Sequence, residues 1–405
     1  MKKIMIVCVL LSMGMTMHAQ KSELNKAKSL ISAATVDMKK LDYAKVDEAV
    51  ECLKNCMQDP VTSVMAETWS TAGRARAIQA QNIYAASQTG TLDTLAYFDA
   101  MYDIVAYYSK SDVLDHTPNA KGKLPKAEEL DKNRKQAQGI AMGPRQVLLT
   151  AGSVYMNSNP QQSMKYIDMY LNSFDDPLFE GLNLNETDTM KVNAYLFKAT
   201  ALQKLAKTPE DNAEIVKLFE KGMDSKSFGF IACNEIIQIY KEQNDMANWE
   251  KYSKIAIDKY PDQASFLVNL LNYEIGKENF EEASKYCDLL IERFPDKDYG
   301  PYQKGAIYYR QQKYAEAQEC FKKAMEVNPE STDAVAGVGN CYLMMAQQTT
   351  DKTKKKQNYD EALTYYFKLK DMAPGNSDLW GYQIYAIYNN TGQAEKAKAY
   401  KKYDK

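Results

Sequence analysis

The chain has 405 residues, 45% hydrophobic and 26% charged, with a formal net charge of -2 and a mean hydropathy of -0.52. These are the values of a water-soluble folded protein, and they exclude the strongly basic surface that nucleic-acid binding requires.

The first 19 residues predict a cleavable signal peptide. Lys2 and Lys3 form a basic start, Ile4 to Met17 is an apolar run too short to span a bilayer, and the small Ala19 precedes Gln20 and Lys21. Cys8 lies inside the apolar run, so it is not expected to carry a lipid. This leader resembles those of exported Gram-negative proteins, which implies a periplasmic or secreted mature chain with possible outer-membrane association. Cleavage removes two lysines and no acid, taking the net charge from -2 to -4. No later apolar stretch reaches membrane-spanning length.

Residues 20–115 are expected to form helical hairpins, with Trp69-x2-Ala72-Gly73 marking a first helix. Residues 116–144 hold Pro118, Gly122, Pro125 and many charges, and predict a polar linker or long loop. Residues 145–229 read as degenerate hairpins, with Gly152-x2-Tyr155 and the stretch Ala194 to Gly222.

Residues 230–405 carry the strongest signal. Pro261, Pro295 and Pro329 stand 34 residues apart, and the clearest unit reads Gly305-x2-Tyr308, then Ala317-x3-Phe321-x2-Ala324-x4-Pro329. The next gives Gly339-x2-Tyr342 and Ala362-x3-Tyr366-x2-Leu369-x4-Pro374, lengthened by an insertion near 347–358. A fixed period of this kind marks a solenoid of units that bury their apolar faces only against neighbours.

This pattern resembles the tetratricopeptide repeat (TPR) family. The resemblance implies an all-α, right-handed superhelical solenoid of helical hairpins. It assigns packing roles to Gly73, Gly152, Gly305, Tyr308, Ala317, Phe321, Ala324, Gly339 and Ala362. Trp249 stands where the family has a small residue, which predicts a splayed or repacked hairpin. In the family, first helices line a concave groove that holds a peptide or partner helix. Carried over, the groove set is Asn272, Tyr299, Tyr302, Tyr309, Arg310, Asn340, Tyr382, Tyr385 and Tyr388. Tyr and Arg suit such a role, since both are enriched at interfaces. Asn272 and Asn340 match asparagines that grip a terminal carboxylate in some co-chaperones, but the accompanying lysines are missing.

No enzyme chemistry is expected. His116 is the one histidine after the leader, no metal-ligand spacing exists, and Gly276-Lys277 lacks the rest of a phosphate loop. Asp175-Asp176 and Glu281-Glu282 suit a turn and a helix start. No cofactor or metal is therefore predicted. Six cysteines remain after the leader; most suit buried thiols, and Cys320–Cys341 is the best disulfide candidate. Lys352, Lys354, Lys355 and Lys356 predict a basic loop. Asp93-Thr94-Leu95 and Asp188-Thr189-Met190 resemble the O-glycosylation signal of exported Bacteroidota proteins, but also suit helix starts. The expected function is a non-catalytic exported scaffold that binds protein or peptide segments. The alternative is a cell-surface glycan-binding protein with a similar helical core.

Overall fold

The computed structural model describes residues 21–37, 40–88, 90–119, 121–206 and 208–404. The expected signal peptide lies outside the described residues. All regular secondary structure among the described residues is helical, and successive helices pack as neighbours. The chain divides into two compact units, one ending at Ile239 and one beginning at Tyr240.

The first unit contains α1 (21–34), α2 (Tyr43–Gln58), α3 (Ala66–Ala86), α4 (Thr94–Asp115), α5 (Ala127–Tyr155), α6 (Pro160–Asn172), the short α7 (Leu184–Thr187), α8 (Lys191–Leu205) and α9 (Pro209–Gly222). Asp42, Asp93 and Asn159 cap α2, α4 and α6 by accepting from backbone N–H groups three residues on. Ile31, Val46, Leu53 and Ile78 belong to one core cluster, while Ile104, Leu148 and Ile167 belong to another. Glycine sets the closest approaches. A Cβ at Gly73 would lie 2.7 Å from the Tyr108 ring, and one at Gly152 would run into Ile167.

The expected linker over 116–144 needs correction. Among the described residues of this stretch only those between α4 and α5 fall outside helices, and residues 127–144 lie within a 29-residue helix. Glu128 and Glu129 favour its N-terminus, and Asp131 pairs with Lys135 one turn on. The polar composition reflects a helix that buries only one stripe, through Ala137 and Ala141.

That helix is anchored by Arg145, which is 0% exposed. Its Nε donates to Ser173 Oγ at 2.6 Å and its Nη1 to Asp188 Oδ2 at 2.6 Å. The guanidinium lies 4.5 Å from the Tyr170 ring centre and 4.6 Å from that of Phe174. Tyr170 Oη also donates to Asp188, at 2.7 Å. Burial opposes ionisation of Asp188, but the bonds from Arg145, Tyr170 and the Met190 N–H outweigh it and lower its pKa. Asp188 thus ties α5 and α6 to the start of α8. The neighbouring Thr189 is exposed, as is Thr94, the first residue of α4.

α10 (Gly229–Glu242) spans the division between the units. The second unit then holds the helix pairs α12 (Ala264–Gly276) with α13 (Phe280–Arg293), α14 (Tyr299–Arg310) with α15 (Tyr314–Val327), α16 (Thr332–Gln348) with α17 (Lys352–Met372) and α18 (Gly381–Asn390) with α19 (Ala394–Tyr400). They are preceded by α11 (Met246–Lys259). Pro261, Pro295 and Pro329 each stand two residues past a helix end. The Phe321 ring sits between two helices: Cβ atoms on Gly305 and Gly337 would lie 2.8 and 2.7 Å from it. Ala317, Ala324 and Ala362 are wholly buried. Trp249 is also buried, with its ring centre 4.8 Å from that of Tyr273.

Two further expectations change in this unit. The insertion is absorbed as longer helices, so Lys352, Lys354, Lys355 and Lys356 occupy the opening turns of α17 rather than a loop. Asp351 caps them by accepting from the Thr353 and Lys354 N–H groups. Cys320 and Cys341 are free thiols, not a disulfide. Burial pushes the Cys341 thiol up to about 12, which keeps it protonated and poorly reactive at neutral pH.

Candidate functional site

The residues assigned to a groove in the second unit do not share one environment. Asn272, Arg310 and Tyr382 are exposed, whereas Tyr299, Tyr302, Tyr309, Asn340 and Tyr385 are half-buried. Tyr299 Oη donates to Asn272 Oδ1 at 3.2 Å, joining α14 to α12 at the surface. Tyr302 and Tyr309 are committed to packing, 5.7 Å from Phe321 and 5.2 Å from Tyr314 between ring centres. Burial raises both phenol pKa values. Asn340 Oδ1 accepts from Tyr366 Oη at 2.6 Å, so its amide oxygen has a partner within the fold. Tyr388 is a correction. At 8% exposure it belongs to the core, where α18 turns it towards Tyr400.

Tryptophan offers no platform for sugar rings. Trp249 and Trp380 are buried, and the half-buried Trp69 donates its Nε1–H to the Ser63 carbonyl at 2.7 Å. Among the described residues, no group of three His, Cys, Asp or Glu converges as metal ligands would. No described helix is long and apolar enough to cross a membrane.

A separate open surface lies in the first unit. Two clefts run along α4, walled by α3 on one side and α5 on the other. One is about 810 Å³ and polar, the other about 670 Å³ and mostly apolar, and Ile140 lines both. The floor is one face of α4: Tyr97, Met101, Ile104, Tyr108, Ser111 and Asp115 recur every three or four residues. Glu67, Ser70, Arg74, Gln81 and Tyr84 stand on the α3 wall, and Glu129, Asn133, Gln136, Gly143 and Val147 on the α5 wall.

The two ends differ in chemistry. At the polar end, Lys28 pairs with Glu67, and Arg134 grips both Asp112 carboxylate oxygens at 2.9 Å. Arg74 makes no ion pair with a described residue, nor does Glu129. Asp115 accepts from Asn133 Nδ2 at 3.1 Å. Its pKa is raised, chiefly by burial and further by the nearby Asp112 and Glu129 carboxylates. At the other end, Tyr84 is 55% exposed and lies 6.0 Å from Tyr97 between ring centres. A side chain at Gly143 would meet nothing. The trench is not apparent from the sequence because its α5 wall lies in the segment whose composition predicts a linker. The available signal was the spacing of Glu129, Asn133, Gln136 and Ile140, which places them on one helical face.

Residues 302–331 match the tetratricopeptide repeat family model. Among solved structures, the chain resembles the C-terminal part of a TPR repeat-containing protein from Cytophaga hutchinsonii. The identity is 16%, the TM-score 0.42, and coverage 62% of this chain and 92% of that one. A tetratricopeptide repeat protein from Parabacteroides merdae gives 18% identity and a TM-score of 0.36, over 52% of this chain and 77% of that one. The MamA protein gives 16% and 0.36, over 44% and 90%. No curated protein matches the chain.

Proposed function

We propose that this tetratricopeptide-repeat protein is a non-catalytic scaffold of the cell envelope that holds a segment of a partner protein. The observation that carries the reading is the open trench over α4, with side chains on both walls and no segment of the described chain filling it. A concave site with an apolar stretch and a few convergent polar groups is the usual form of a binding site. The exposed Asn272, Arg310 and Tyr382 in the second unit offer further contact points. Location in the envelope rests on the leader, Lys2, Lys3, the apolar run and Ala19.

A photo-crosslinking residue placed at Gly143 in cells tests the binding reading, with Lys241 as a surface control. A discrete crosslinked partner from Gly143 alone is expected; equal, diffuse adducts from both positions would defeat the reading. The location is checked by intact mass of the exported protein, whose mature chain is expected to begin at Gln20 or Lys21. A mass that retains Met1 to Ala19, or that includes acyl chains, would overturn it.

A further inference from the structure

We infer that the trench over α4 takes an extended peptide segment with Lys or Arg at one end and apolar or aromatic side chains at the other. This rests on the scaffold reading and adds the chemistry of the occupant. From Tyr97 to Asp115 the floor runs 18 residues of helix, about 27 Å at 1.5 Å per residue. An extended chain of roughly eight residues covers that span.

Charge complementarity sets the polarity of the occupant. Of the acids lining the polar cleft, Glu67 and Asp112 are already neutralised by Lys28 and Arg134. Asp115 and Glu129 make no such pair, and at Asp115 the Glu129 and Asp112 carboxylates disfavour ionisation, opposed by the Asn133 hydrogen bond and by His116. A cationic side chain placed between them removes that repulsion. The opposite end holds no charged lining residue and presents Tyr84, Tyr97, Met101 and Val147. In the same polar cleft Arg74 is one cation against these two acids, so an excess of one acid remains, and Arg74, Ser70 and Gln136 offer donors and acceptors. An extended segment has unpaired backbone N–H and C=O groups to meet them, whereas a helix has already paired its own.

Asp115 carries a signature of such a role. A raised carboxyl pKa in the fold means that ionisation is disfavoured there. The penalty is present above the folded pKa and absent below the ordinary carboxylate range, where both folded and unfolded states are protonated. Asp115→Asn should therefore stabilise the protein at neutral pH, with the gain fading as the pH falls below that range. A residue that destabilises the free protein but improves binding is what an occupied site predicts.

The test uses the full mature chain and fluorescein-labelled octapeptides. One has the order Lys-Arg-Ser-Gly-Ser-Leu-Tyr-Leu, a second reverses that order, and controls carry Glu in place of both basic residues. Fluorescence anisotropy should show binding of one basic peptide, at least ~10-fold weaker binding of its Glu counterpart, and weakening by salt. Asp115→Asn with Glu129→Gln should abolish the preference for the basic peptide while the protein stays folded, and Asp115→Asn alone should raise the melting temperature at neutral pH. Tyr84→Ala should weaken both peptides alike. Failure of either order to bind, equal binding of the Glu peptides, or an unchanged preference in the double variant would each overturn the inference. A partner crosslinked through Gly143 that shows no charge preference would leave the scaffold reading standing and remove this one.

Discussion

Arg145→Ala is expected to cost the first unit ~3–5 kcal/mol, because it removes the fully buried partner of an ion pair and leaves the part-buried Asp188 with only the Tyr170 hydroxyl and the Met190 N–H. Asp188 would lose its guanidinium while keeping its burial, and Ser173 Oγ would lose a 2.6 Å donor. The rings of Tyr170 and Phe174 would face a cavity instead of a cation. Arg145→Met with Asp188→Leu should be much milder than Arg145→Ala alone, since the pair is then replaced by apolar volume. Denaturant unfolding, with hydrogen exchange read on α5, α6 and α8, measures both. A single-variant cost below ~1 kcal/mol would show that the pair is not the anchor. The pH dependence has a definite sign. The Asp188 pKa is lowered by folding, so its contribution is present above the ordinary carboxylate range and lost as the pH falls through the folded value. Asp188→Asn should remove that part of the acid sensitivity.

Arg145 also shows where sequence reading stops. The prolines at 261, 295 and 329 made the second unit legible, because a helix must end near a residue that cannot continue it, and a repeat turns three such ends into a period. Gly305, Ala317 and Phe321 were legible for a related reason: close helix crossings admit small residues on one side and need a large ring on the other. The first unit lacks that periodic punctuation. The polar stretch from Ala127 resembles a linker because only a narrow stripe of α5 is buried, and its anchor is an arginine, a type seldom fully buried unless paired. The pairing partner lies 43 residues away in Asp188, and no local pattern announces a contact of that range. The tyrosines of the second unit posed the opposite problem. A tyrosine serves equally as core filler and as interface anchor, and the sequence of α18 does not separate Tyr388, which is buried, from Tyr382, which is 53% exposed.

In the second unit, Phe321→Ala should cost ~3–5 kcal/mol, as a buried ring truncated to a methyl leaves a cavity that neighbours fill only in part. Phe321 is 4% exposed, and its ring is held between the glycine backbones of α14 and α16. Gly337→Ala should by itself cost ~1–3 kcal/mol, despite the better helix propensity of alanine, because its methyl would sit 2.7 Å from the ring. The two changes should not add. Without the ring, the new methyl enters vacated space, and the propensity gain of roughly 1 kcal/mol from Gly to Ala appears instead of the clash. The double variant should therefore be more stable than the sum of the single effects by at least ~1 kcal/mol, a size typical of contacting residues. Urea unfolding of the four proteins gives this coupling. Additive effects, within ~0.5 kcal/mol, would mean that α16 shifts to accommodate a side chain and that the glycine is not what sets the spacing of α14, α15 and α16.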